Sequence, residues 1–251
     1  MHKIHHLNCV EILAPTGDRA IGNCTVLQLK DKLILLDAGI GLQDNTIETS
    51  RFTPSLIQAI GLKLDPNLAA INQFKNKGLD PNCVTDIVVT HLDCDHISGL
   101  VDFPKARVHL SQEEYQNYLS DNPRYIRALT SHNPTLIQYQ PSTCIWNGLE
   151  VRKVAIEGVE IYLTPLFGHT LGHCGVIYYA DAQWWFYIGD AYYIREELSN
   201  ALHPVHELTT VRADDNTLRL ESLKRIKQFI SDYPEVNVYG YHDYSEFLLR
   251  K

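Results

Sequence analysis

Apolar residues recur along this chain with two periods, and the two periods sort it into strands and helices. Val10-Glu11-Ile12-Leu13 and the runs at 24–29 and 33–36 are short, apolar or alternating, which is the pattern of β-strands. Gly17-Asp18, Gly22-Asn23 and Lys30-Asp31 separate them as turns. The third run feeds Asp37-Ala38-Gly39-Ile40-Gly41, a strand entering a glycine loop. Residues 66–77 predict a helix with Asp65 as its N-cap, Pro66 in the first turn and Gly78 as its stop, with Leu68, Ile71 and Phe74 on one face. The run 86–90 reads as a buried strand, and 112–119 as a helix. Strands are expected at 151–154, 159–163, 175–179 and 184–188. A long helix follows at 216–232, with a stripe of Leu220, Leu223, Ile226, Phe229 and Ile230 and with Pro234 beyond its end. A last strand is expected at 236–239. Strand runs followed by helices in two similar halves suggest two packed sheets with helices outside. Residues 42–65 are expected to form a loop with short helical pieces, 120–147 carry no clear period, and 42–65 and 110–147 are expected to supply pocket walls and a lid.

No repeat, low-complexity tract or Gly/Ser linker divides the 251 residues, so one domain over 1–251 is expected. The 45% hydrophobic and 21% charged residues are ordinary for a globular chain able to bury a core. A net charge of −8 argues against a broad nucleic-acid or anionic-membrane surface and leaves a small molecule as the expected partner. No signal-peptide pattern and no apolar run near the roughly 18 residues of a membrane span is present, so a cytoplasmic location is expected. The six cysteines are scattered, form no C-x-x-C pair and read as free thiols.

Composition is bland, but the polar residues at strand ends are not. The segment His91-Leu92-Asp93-Cys94-Asp95-His96 packs four metal-ligand side chains into six residues directly after a buried strand. Two carboxylates crowded at one point call for a cation to offset their repulsion. Gly99 beyond them permits close backbone approach. Three more candidates stand where other strands give way to loops: His169 in Gly168-His169-Thr170-Leu171-Gly172-His173, Asp190 in Ile188-Gly189-Asp190, and His242 in Tyr241-His242-Asp243. Taken singly, Asp95 could cap a helix and His242 could be a surface residue. His173 is expected either to orient the site or to be a structural histidine, Asp37 to bond backbone or a ligand histidine rather than metal, and Asp243 could play the same part as Asp37. Cys94 alternates with Asp93 and Asp95, which points it away from them.

HLDCDH, GHTLGH, IGD and YHD, in that order, together with the early LLDAGIG, resemble the motifs of the metallo-β-lactamase superfamily over nearly the whole chain. GDAYY, and SLKRIKQFI ahead of YHD, are similar to the acyl-homoserine lactonase subgroup. The resemblance implies an α/β (α+β) fold, a four-layer αββα sandwich with two divalent metal ions at one edge. It implies that His91, Asp93 and His169 hold one ion, that Asp95, His96 and His242 hold the other, and that Asp190 bridges them. Zinc is the expected metal. Asp93 stands where the family usually has His, and its harder oxygen brings in manganese or iron. The implied activity is hydrolysis of a lactone or carboxylic ester by a metal-bound hydroxide, with Tyr193 stabilising the oxyanion and Asp95 passing a proton to the leaving group. The alternatives are a phosphodiesterase, a glyoxalase II-like thioesterase, a diiron redox protein and a metal-binding protein without turnover.

Overall fold

The structure, a computed structural model, describes residues 2–13, 17 and 19–250. Asp18 of the expected Gly17-Asp18 turn lies outside them. The first sheet is formed by β1 (Lys3–Leu13), β2 (Arg19–Gln28), β3 (Leu33–Leu36), β4 (Val84–Val88), β5 (Arg107–Ser111) and β6 (Thr135–Tyr139), in that spatial order. Its first three strands are antiparallel and its last three join in parallel. A short hairpin of β7 (Ile145–Trp146) and β8 (Leu149–Glu150) leads to the second half. There β9 (Arg152–Lys153), β10 (Ile161–Pro165), β11 (Cys174–Ala180), β12 (Gln183–Tyr187) and β13 (Asn237–Tyr239) form a sheet in the order β13-β12-β11-β10-β9.

Alternation along the second sheet explains the layering. Val176, Tyr178 and Tyr187 face the first sheet and join one core with Val26, Leu35 and Val88. Ile177, Phe186 and Val238 face the other way. The helices are α1 (Pro54–Ile60), α2 (Ala70–Asn76), α3 (Cys94–Ile97), α4 (Gln112–Leu119), α5 (Val205–Arg212), α6 (Asn216–Asp232) and α7 (Tyr244–Leu248). The long α6 lays Leu223, Ile226 and Phe229 on the outward face of the second sheet, while α2 and α4 lie against the first. The result is helix–sheet–sheet–helix.

Several expectations shift. The first strand is far longer than 10–13, because a register shift between Asn8 and Glu11 lets it bend and continue pairing with β2. The expected helix at 66–77 splits. Asp65 does accept a hydrogen bond from the Asn67 backbone N–H, but it caps only a 3-10 turn at Pro66–Leu68, and extended Ala69 separates that turn from α2. Leu220 is 46% exposed and falls off the buried stripe of α6, where Ser222 packs instead. The short helical pieces expected within 42–65 include α1, while β6 lies in the unread stretch 120–147.

Candidate metal centre

Each candidate ligand stands just beyond the C-terminal end of a strand. β4 leads into His91 and Asp93, and α3 then carries Asp95 and His96. β10 leads to His169, β12 to Asp190 and β13 to His242. The first sheet thus supplies four candidates and the second supplies three. α3 can press against the loop after β3 because Gly99 has no side chain: a Cβ there would sit 2.3 Å from the Ala38 carbonyl oxygen. Asp93, not Asp95, occupies the N-cap position of α3, and its side chain makes no capping bond, so it is free to face the site.

The seven side chains converge. Ligand atoms of His91, Asp93 and His169 lie within 4.8 Å of one another, as do those of Asp95, His96 and His242, and those of His91, His96 and Asp190. Asp190 spans the two triads: its Oδ2 is 3.5 Å from His169 Nε2 and 3.2 Å from His242 Nε2, and its Oδ1 is 3.2 Å from His96 Nε2. Yet His91 Nε2, His96 Nε2 and Asp190 Oδ1 are buried without any hydrogen-bond partner. Buried polar atoms are almost always paired. Here they are close together but do not point along each other's hydrogen-bond directions. That is the arrangement of donors aimed at a common cation, and the residues therefore fit a metal centre.

The opposite ring nitrogens of His91, His96 and His242 are committed, which turns their Nε2 lone pairs inward, whereas His169 Nδ1 is buried without a partner. His96 Nδ1 donates to Asp37 Oδ2 at 2.9 Å, and His242 Nδ1 donates to the Ile21 carbonyl at 2.8 Å. Thr90 Oγ1 donates to Asp37 Oδ2 and so accepts from His91 Nδ1, both at 2.9 Å. Asp37 is thus the anchor expected of it, bonding a site histidine and the Thr90 backbone N–H. His173 donates from Nδ1 to the Leu166 carbonyl and accepts the Asp190 backbone N–H on Nε2, which places Asp190 and leaves no lone pair for a metal. Asp243 instead caps α7 through the Glu246 backbone N–H.

Electrostatics follow the crowding. Burial would raise the Asp190 carboxyl, but the imidazoles of His242 and His96 outweigh it and hold the group well below the usual carboxylate range. Burial and neighbouring His96 push His91 well down. Cys94 opens α3, packs with the buried apolar core and is among the residues around the cavity over the site. Burial and then the charges of Asp95 and Asp93 push its thiol well up, so it is held as a neutral thiol.

That cavity measures about 660 Å³. Asp93, Asp95, Asp190 and His242 lie in its wall, with Ile12, Leu56, Ile60, Ile126, Val205 and Leu208 forming apolar surface beyond them. Tyr193 lines it too, its ring edge-on to His169 and His242 at centroid distances of 5.9 and 4.9 Å. Tyr192 points away and donates to Glu246, as a packed residue. Residues 42–65 and 110–147 supply part of the wall as expected, and α5 supplies a part not foreseen.

Pattern reading missed three residues. Thr90 has a signal, its place beside His91. Glu114, with no local signal, ties two ligand loops together: it accepts the Leu92 backbone N–H at 2.8 Å and the Thr170 hydroxyl at 2.5 Å. Burial pushes its carboxyl up to about 7. Arg124, from an unreadable stretch, forks onto Asp93.

Comparison with known proteins agrees with this geometry. The family model described as the metallo-beta-lactamase superfamily matches residues 17–229. A protein of Mycobacterium tuberculosis named a probable metallo-hydrolase is 32% identical over 209 residues, covering 78% of this chain and 64% of its own length. This chain therefore spans just under two thirds of that relative. An N-acyl homoserine lactonase of a Bacillus species is 23% identical over 229 residues, covering 88% of this chain and 80% of its own. Among solved structures, an N-acyl homoserine lactone hydrolase with N-hexanoyl-L-homoserine at its catalytic metal center superposes with a TM-score of 0.75 at 18% identity, over 99% of this chain and 96% of that one. With paired sheets and a family match over most of its length, the chain belongs to the metallo-β-lactamase superfamily, with its αββα fold.

Proposed function

We propose that this chain is a dinuclear metal-dependent hydrolase that opens a lactone or cleaves a carboxylic ester with an apolar acyl part. The observation that carries the reading is the cavity in whose wall Asp93, Asp95, Asp190 and His242, four of the seven converging His and Asp side chains, meet apolar residues. His91, Asp93 and His169 would hold one ion, Asp95, His96 and His242 the other, and Asp190 both. Divalent cations held there supply Lewis acidity, polarising a carbonyl and bringing the pKa of water toward neutrality. Zinc suits the histidines, and the carboxylate of Asp93 also admits manganese or iron.

The chain's own groups do the rest. Ile12, Leu56, Ile60 and Ile126 bury the acyl part and exclude water around the reacting carbonyl. Tyr193, standing between His169 and His242, donates its hydroxyl to the oxygen on which charge develops. Asp95, with Oδ2 3.6 Å from His242 Nε2, holds a proton for the leaving oxygen. The likeness to proteins named as homoserine lactonases supports the lactone as the first substrate to try.

The test is proton release on adding short- and long-chain acyl-homoserine lactones and simple esters to metal-replete and chelated protein. Rapid release that the chelator abolishes is expected. Metal-loaded protein that releases none, but turns over phosphodiesters or thioesters, would replace the ester reading.

A further inference from the structure

Asp93 brings a third carboxylate to a centre that already holds Asp95 and Asp190, and one residue answers it. Arg124 Nε donates to Asp93 Oδ1 at 2.7 Å and Nη2 to Oδ2 at 3.1 Å. Nη1 donates to Asp214 Oδ1 at 2.6 Å and to the His169 carbonyl at 2.8 Å, while Nη2 also donates to the Arg212 carbonyl at 2.8 Å. All five guanidinium N–H groups are thereby used. Asp214 is held in turn by the side-chain amides of Asn117 and Asn122. The fork cannot swing away without breaking several of these bonds, and the side chain is only 14% exposed.

The two oxygens of Asp93 are not equivalent. Oδ1 takes the shorter bond from Arg124, whereas Oδ2 faces His169 Nε2 at 3.1 Å and His91 Nε2 at 3.4 Å. We propose that Arg124 is a positioning residue for the metal centre: it binds Oδ1 the more closely, turns Oδ2 toward His91 and His169 where the ion would sit, and offsets the charge that a carboxylate at position 93 adds. This inference rests on the metal-dependent reading above. A planar fork is required for it, which a lysine point charge cannot supply. Position 93 can then be Asp only with Arg at 124. An imidazole at 93 would leave the guanidinium as an unpaired cation beside the bound ion.

A double-mutant cycle separates this role from simple stapling of three segments. Wild type, Arg124→Leu, Arg124→Lys, Asp93→His and the double variant Asp93→His/Arg124→Leu are stripped with chelator. Zinc and manganese affinities and stoichiometries are then measured without substrate. We expect Arg124→Leu and Arg124→Lys each to weaken one of two ions about 10- to 100-fold. Asp93→His alone should weaken it too, and the double variant should bind zinc better than either single variant. Wild-type affinity in Arg124→Leu, or losses that simply add in the double variant, would overturn the proposal. If Arg124→Leu does not fold by circular dichroism, Arg124→Gln, which keeps donors without charge, must show the same loss. A wild-type chain that binds no ion removes both this inference and the proposed function. Two ions bound with an indifferent position 124 removes this inference alone.

Discussion

At the scale of single residues, the site separates groups that would hold metal from groups that would act on substrate. Asp190 reaches both triads, so Asp190→Ala should lose at least one bound ion. Elemental analysis checks this, and full stoichiometry would refute its bridging part. Tyr193 sets its ring edge-on to those of His169 and His242 in the cavity wall. Tyr193→Phe should keep its metal and lower kcat about 100-fold, the scale of one lost oxyanion donor. An unchanged kcat with bound metal would remove Tyr193 from the chemistry. Away from the site, His6 is buried, and its pKa falls to about 4 chiefly through that burial. The folded state keeps His6 neutral while the unfolded chain takes up a proton below about 6.5. Stability from this residue is therefore complete above about 6.5 and is lost as pH falls toward 4, by up to about 3 kcal/mol. His6→Gln should flatten the fall of melting temperature over that window, and an identical slope would show that His6 does not control it.

At the scale of elements, amphipathic helices and strand-end loops divide the labour. The helix around 216–232 was readable because its apolar stripe has nowhere to go but the sheet and Pro234 follows it; Asp215, which the pattern did not single out, caps it by accepting the backbone N–H groups of Thr217 and Leu218. Phe229 lies at the centre of that contact, against Phe186 and Trp146. Phe229→Ala should cost about 3–5 kcal/mol, read by chemical denaturation, while metal stoichiometry is retained. A loss under 1 kcal/mol would mean that α6 is not held by this contact. The segment 66–77 misled the same reasoning. Its capping residues were real, but Ala69 turns extended where the stretch must pass β1, and the tertiary contact overrode the helical period.

At the scale of the molecule, the candidate ligands come from both sheets: His91 to His96 from the first, and His169, Asp190 and His242 from the second. An ion bound between them ties the sheets together and binds only the folded chain. Saturating metal should therefore raise the melting temperature by about 5–10 °C, corresponding to about 2.7 kcal/mol at a hundredfold excess over Kd. Chelator should reverse the shift. A melting temperature indifferent to metal would argue against a centre shared by the two sheets.

The candidate ligands were legible in sequence because ligand chemistry is local. HLDCDH crowds donors at one strand end, and a carboxylate or imidazole announces itself by residue type wherever it falls. Strands with a clear period and the striped helix α6 were legible for the same reason, since a period and a following proline are properties of neighbouring residues. What the tertiary structure alone decided is how distant groups answer one another. Nothing near Arg124 or Glu114 in the chain marks them, because their partners lie 31 residues away at Asp93 and 56 residues away at Thr170. The length of β1 and the break at Ala69 between the Pro66–Leu68 turn and α2 are settled by packing between elements. Folding brings those elements together, and short-range pattern carries no record of them.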